Sequence, residues 1–264
     1  MEANTATNDK EIAKASSEQE YFVRFNVSQR VEHLVLMITF TVLAVTGLAE
    51  KYYTAGWAGW LISILGGMEV TRLVHRAFGL VFVLSVVYHF AYLVRNLGFK
   101  HARPTMLPNG KDFRDVMDWL RYSFGLRRRP PLFGRYDYRQ KFEYWGILFG
   151  GTIMILTGFV LAYPVVVTAI LPGQFVAASR EAHGNEAMLA VLTIVIWHLY
   201  DVILKPSIYP ADLTIFSGKI SRKRLEEEHP LEYAELAVEK VSEPAEPVPV
   251  VSEPLPPAPS AEKG

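Results

Sequence analysis

The sequence predicts an all-α integral membrane protein: a four-helix bundle with an amphipathic cytoplasmic loop and a disordered C-terminal tail. Three observations predict it. Half of the 264 residues are apolar, and they fall in four long blocks. The charges collect between and after those blocks. Five of the seven histidines lie in or at the ends of the apolar blocks, where a polar ring is costly.

The blocks come first. A helix needs about 20 mainly apolar residues to cross the hydrocarbon of a bilayer. Segments 31–49, 73–94, 144–171 and 187–204 meet that length. None alternates as a barrel strand does, and each is too long for one, so helices are the expected spanning structure. The aromatic stretch from Trp57 to Met68 is too short to span and is expected to lie at the membrane surface. Another surface helix is expected near Phe113 to Phe124, where Asp112, Asp115 and Asp118 interleave with aromatic residues.

The ends of the chain differ from the middle. Residues 1–20 are polar and lack the basic-then-apolar profile of a cleaved signal peptide. The spanning domain is expected over 21–230 and a tail over 231–264. From about Ser242 the tail is rich in Pro and Glu, a composition that cannot bury enough apolar surface to fold. No internal repeat is evident at this level.

Charge sets the orientation. Twelve Lys and Arg lie between Arg95 and Lys141, and five more between Lys205 and Arg224. The connection after the third block offers only Arg180. Loops rich in Lys and Arg stay in the cytoplasm, so both termini and the long loop are expected there. For a bacterial chain, that membrane is the inner one.

Composition also excludes chemistry. There is no cysteine, which removes disulfides, iron–sulfur clusters, thiolate zinc sites and covalent c-type haem attachment. Formal net charge is zero, so nothing favours a nucleic-acid partner. No Gly-rich phosphate loop, nucleophile elbow or His-Glu-x-x-His helix occurs.

The membrane histidines are His33, His75, His89, His183 and His198. His75 and His89 are fourteen residues apart. On one helix they return to within about 40° of a common face at depths about 21 Å apart. His183 and His198, fifteen residues apart, drift by about 60° over a similar rise. Two histidine layers result: His75 and His183 in the outer one, His89, His198 and His33 in the inner one. Imidazole on both sides of a haem iron gives a six-coordinate centre suited to electron transfer, and bundle cores place such ligands on facing helices. Two layers therefore suit two haem b groups. His75 with His183 is the outer pair; for the inner haem, His198 has two competing partners, His89 and His33. Helical phase favours His89, and the remaining histidine is free to meet a quinone oxygen or relay a proton.

Gly79 lies one turn from His75 and allows close approach of a flat macrocycle. Gly47, Gly158 and the Gly150–Gly151 pair could serve likewise, although helix packing explains small residues equally well. Arg72 and Arg76 flank the outer layer and Arg30 the inner one, each placed to meet a propionate or to snorkel to the interface.

The segments RFNVSQRVEHLVLMITFTVLAVTGL, TRLVHRAFGLVFVLSVVYHF, EYWGILFGGTIMILTG and AHGNEAMLAVLTIVIWHLYDVI together resemble the prokaryotic b-type cytochromes that serve as membrane subunits of formate dehydrogenases, nickel–iron hydrogenases and thiosulfate reductases. The resemblance runs from about Tyr21 to Pro230. It implies His75 with His183 for the outer haem, His33 with His198 for the inner haem, and quinone binding near the inner one. The histidine spacing is also similar to the cytochrome b of quinol–cytochrome c reductases, which implies His89 with His198 instead. Both inner pairings stand at this point.

The expected function is a membrane di-haem subunit that moves electrons between the quinone pool and an extracytoplasmic redox partner: a multihaem cytochrome, hydrogenase or dehydrogenase. The alternative is a histidine-lined transporter of metal ions or protons. A transporter predicts carboxylates among the histidines, and Glu32 and Asp201 are the two read within the apolar blocks.

Overall fold

A computed structural model describes residues 20–99 and 104–242. Residues 1–19, 100–103 and those from 243 lie outside this range, and with them the expectations of a polar N-terminal segment and of disorder in the tail. The described chain is a bundle of four long helices with a small helical and two-stranded cap at one end.

Four helices are long and apolar enough to cross a membrane: Val27–Lys51, Met68–Gly98, Tyr138–Ala162 and Gln174–Leu204. They are named α1, α3, α5 and α7. Between them lie α2 (Gly56–Ile64), α4 (Gly110–Ser123) and α6 (Pro164–Thr168). α1 packs along α3 and α5 along α7, and the two hairpins meet through α1 with α7 and α3 with α5. Apart from Lys141 near the start of α5, the side chains buried on these helices are small or hydroxyl-bearing: Thr39, Thr46, Ala49, Thr71 and Ser179, with Gly150 and Gly151. Large apolar side chains such as Leu80, Leu84, Phe149 and Ile196 point outward. This inversion is what a lipid solvent selects.

The helix ends follow their sequences. Asn26 caps α1 and Asp137 caps α5, each with a glutamine at N3 completing a capping box. Pro164 has no N–H to continue α5, so the helix stops at Ala162 and Pro164 opens α6. The third span is thus shorter at this end than the expected 144–171. The fourth begins at Gln174, well before the expected 187, so His183 sits inside a helix and not ahead of one. Its second half contains π-helical turns at Thr193–His198 and Tyr200–Leu204.

The aromatic stretch expected at the membrane surface is helical over α2. Ala58 and Ile62 bury against Ala49, while Trp57, Trp60 and Ile64 stay exposed. α4 realises the expected helix in the long loop, opened by a capping box between Asn109 and Asp112.

The cap lies at the end that carries both described termini. Strand β1 (Tyr21–Val23) pairs antiparallel with β2 (Lys219–Ser221), Phe22 opposite Ile220. Before β2 stands α8 (Thr214–Ser217), after it α9 (Arg222–Glu228) and α10 (Pro230–Ser242). Gly218 takes a left-handed conformation, and its carbonyl accepts from Arg24 N–H at 2.8 Å and Phe25 N–H at 3.2 Å. Glu232 of α10 is buried and bonds both Arg24 and Arg135, the latter at 2.8 Å. The Leu231 N–H reaches the Phe133 carbonyl at 3.1 Å. Folded structure therefore continues past residue 230, where the tail was expected to begin. Burial, then the charge of Arg24, lowers the His229 pKa below its ordinary value. The ring is neutral, giving Nδ1–H to the Gly134 carbonyl at 2.7 Å and facing Arg24 with Nε2 at 3.2 Å. Burial raises the Asp212 carboxyl, but hydrogen bonds from Arg224 and Thr214 outweigh it and hold the pKa at about 2.

Candidate functional site

The five membrane histidines occupy two levels of the bundle. At the level far from the termini, His75 of α3 faces His183 of α7, ring centroids 6.3 Å apart. At the level near the termini, His33 of α1 faces His198 of α7, centroids 6.2 Å apart. Two imidazoles bonded to opposite sides of one metal ion at about 2.0–2.1 Å each hold their centres about 6 Å apart. Both pairs have that spacing.

Neighbouring side chains fix which nitrogen carries the proton. Thr46 donates its hydroxyl proton to the Val42 carbonyl at 2.7 Å, so its oxygen accepts from His75 Nδ1–H at 2.8 Å. Thr157 does the same, donating to the Ile153 carbonyl at 2.6 Å and accepting from His183 Nδ1–H at 2.9 Å. Glu143 accepts from His198 Nδ1–H at 3.0 Å. In all three rings the proton rests on Nδ1, and the Nε2 lone pair is left for a ligand.

Glycine explains how the outer rings fit. A Cβ on Gly47 would stand 3.0 Å from His75 Cε1, and one on Gly158 would stand 3.3 Å from His183 Cε1. The Thr-Gly pair thus supplies both an acceptor and a gap for the same imidazole. Gly150 and Gly151 serve other neighbours: Gly150 makes room for the Glu186 carboxylate and Gly151 for the Phe82 ring. A Cβ on Gly79 would meet nothing within 4 Å.

His89 has different company. Its Nδ1 donates to Glu32 at 2.7 Å, and its Nε2 accepts from the Tyr144 hydroxyl at 3.0 Å. Both ring nitrogens are engaged. Helical phase pointed to His89 as the partner of His198; the structure instead turns His89 toward Tyr144 and sets His33 against His198. The arginines are partly committed as well. Arg72 pairs with Glu69 at 3.3 Å and lies 3.8 Å from Glu50. Arg30 bonds the Phe216 carbonyl, its Nε buried without a partner. Arg76 lies within electrostatic reach of His75 and Glu50.

Several contributors escaped the sequence reading. The spanning helices carry Glu50, Glu69, Glu143, Glu181 and Glu186 besides Glu32 and Asp201. Glu32 and Glu143 are spent on histidine Nδ1 atoms, and Asp201 lies 3.6 Å from Arg139. Among the described residues no group of three or more His, Asp or Glu could hold a metal ion. Lys51 was also missed: its ammonium lies over Gly184, beside His183.

A signal for these contacts does exist in the sequence. Glu32 and Thr46-Gly47 on α1 are spaced as Glu143 and Thr157-Gly158 on α5, fourteen residues from carboxylate to threonine in each. The heptapeptides TVLAVTG (41–47) and TIMILTG (152–158) align without a gap. His75 and His89 on α3 answer to His183 and His198 on α7, whose one extra residue falls in the stretch that contains the π-helical turn 193–198. In each hairpin the first helix holds both histidines of the second by Nδ1. His33 and Tyr144 are equivalent positions, each directly after its glutamate.

Residues 24–214 match the family described as prokaryotic cytochrome b561. The nitrate-inducible formate dehydrogenase cytochrome b556(Fdn) subunit of Escherichia coli K12 is 24% identical over 221 residues, covering 83% of this chain and 94% of the relative. The same subunit from Shigella flexneri gives the same figures. The formate dehydrogenase cytochrome b556(fdo) subunit of Escherichia coli K12 is 21% identical over 185 residues, 69% of this chain and 79% of the relative. With four spanning helices, paired membrane histidines and a family match over well more than half its length, the chain belongs to the prokaryotic cytochrome b561 family of membrane b-type cytochromes.

Proposed function

We propose that this chain is a di-haem, quinone-reactive subunit that carries electrons between the quinone pool and a separate redox subunit. The observation that carries the reading is the pair of facing imidazoles at two levels, 6.3 and 6.2 Å apart. Three of the four rings have Nδ1 tied to an acceptor and Nε2 open. His75 and His183 would hold one haem b, and His33 and His198 the other. Haem iron with two imidazole ligands exchanges single electrons without leaving a position for oxygen. Gly79 leaves open space beside its helix, while Arg76 and Lys51 would supply positive charge near the outer haem's propionates. Arg30, whose Nε lacks a partner, would do so at the inner one. Arg72, shared with two carboxylates, contributes less.

The paired level near the termini is the cytoplasmic one in this reading. Support comes from charge: the connections 52–67 and 163–173 at the far end contain no Lys or Arg, as expected of loops that cross the inner membrane. The partner would dock at that far end. The relatives are by name subunits of formate dehydrogenases, so a dehydrogenase-type partner is the reading to test first. Quinone would exchange near the inner haem.

The test is a dithionite-reduced minus oxidised spectrum of the purified chain, with haem quantified as the pyridine haemochrome. Two b-type haems per chain are expected; a chain that takes up none when haem is supplied would overturn the reading. The threonines give a finer check. Removing a hydrogen-bond partner behind a metal-bound histidine costs about 10–100-fold in affinity. Thr46→Val or Thr157→Val should therefore weaken retention of the outer haem by that factor in a competition with apomyoglobin and leave the inner haem unchanged.

A further inference from the structure

α4 is amphipathic in the unusual direction. Two of its three carboxylates face the protein: Asp112 receives Lys141 of α5 at 2.9 Å, and Asp115 is buried, paired along the helix with Lys111. Its apolar stripe faces away. Phe113, Met117, Leu120 and Phe124, spaced by three or four residues and so on one side of the helix, are 71%, 40%, 38% and 77% exposed. An outward stripe of this size on a folded chain marks a surface that something apolar covers.

Depth and charge say what covers it. Asp112 docks at Lys141, one turn into the spanning helix α5, and the Met106 carbonyl accepts from Trp145 Nε1 a turn deeper, at 2.9 Å. Tryptophan at the end of a spanning helix marks the headgroup level. Arg114 and Arg121 flank the stripe, and the exposed run Arg127–Arg128–Arg129 follows it. Asp118 takes up Arg121 and Arg127; Arg114, Arg128 and Arg129 have no ion pair among the described residues. Between 104 and 141 nine basic residues stand against four acidic ones.

We propose that α4 and the arginine run after it form a binding surface for anionic phospholipid: the stripe seats at the boundary of headgroup and acyl chain, and Arg114, Arg128 and Arg129 hold the phosphates. Which leaflet this is rests on the orientation given under the proposed function. The seating itself does not, so the test is made in bilayers with identical leaflets.

The chain lacks cysteine, so one introduced thiol can be labelled without further change. Nitroxides at Phe113→Cys, Met117→Cys and Phe124→Cys, read in nanodiscs of phosphatidylglycerol and phosphatidylcholine, should be relaxed more by oxygen than by a soluble nickel chelate. A label at Leu126→Cys gives a second reading if one of these disturbs folding. Stronger relaxation by the nickel chelate at all of these positions would place the face in water, as a protein-docking surface, and overturn the proposal. Native mass spectrometry tests the charge: each arginine near the surface is worth about 1 kcal/mol toward anionic lipid, so replacing Arg128 and Arg129 by glutamine should cut retained phosphatidylglycerol by up to about fivefold each. Unchanged retention would also overturn it.

Discussion

His33→Ala is expected to reduce the purified chain from two haems to one, whereas His89→Ala should keep two. The contrast follows from the neighbours of the two rings. His33 has the His198 ring 6.2 Å away and would supply one of the two bonds to the inner iron. His89 has Glu32 on one nitrogen and Tyr144 on the other, so its removal costs two hydrogen bonds and no ligand. A midpoint shift of the inner haem is still expected in His89→Ala, because Glu32 lies directly before His33 and loses one of its two donors, keeping Ser28 alone. Haem stoichiometry by pyridine haemochrome and a redox titration separate the cases. One haem in His89→Ala and two in His33→Ala would reverse the inner assignment and leave the outer one intact.

The second large effect is at the cap. Glu232→Ala should destabilise the cap by about 3–5 kcal/mol, the usual consequence of stranding a buried charge by removing its partner. Here two guanidinium groups lose the same carboxylate, Arg24 from the N-terminal strand and Arg135 from the long connection. Burial already holds the Arg24 pKa below its ordinary value, and Glu232 is the principal group opposing that. Limited proteolysis in detergent, where cleavage follows the population of the opened cap, should speed up by about a hundredfold or more. Glu232→Gln, whose single side-chain oxygen keeps one of the two hydrogen bonds, should fall between. A proteolysis rate unchanged in Glu232→Ala would mean that the three segments are held together by their backbone contacts alone.

The four spans were legible because lipid imposes one simple demand, a long apolar run, and 31–49 and 73–94 answer it directly. The ends were less legible. The stretch QFVAASREAHGNEA is rich in small residues and carries Arg180, Glu181 and Glu186, so it reads as a connection; it is helical because α5 runs beside it. The outer histidine pair could be read from depth alone. The neighbours of the inner histidines could not, since a fourteen-residue spacing sets the direction of the His89 side chain but not what waits there. That depends on the Tyr144 hydroxyl, brought by another helix. The contact of Glu143 with His198 Nδ1 is illegible for a related reason: Glu143 stands just ahead of the expected span 144–171, where a charge needs no explanation.

The likeness of the two hairpins has a consequence for ancestry. α1 and α5 run in the same direction, as do α3 and α7, so a half-turn about an axis along the membrane normal carries one hairpin onto the other. A two-helix peptide with one glutamate, one Thr-Gly and two histidines would build such a bundle by dimerising with itself, and duplication with fusion would leave the spacing seen here. Such a dimer has the same residue at the positions of His33 and Tyr144 and two identical inner sites. The fused chain is free of that constraint. With histidine at one position and tyrosine at the other, it keeps one inner imidazole pair and turns the second site into a hydrogen-bonded strut.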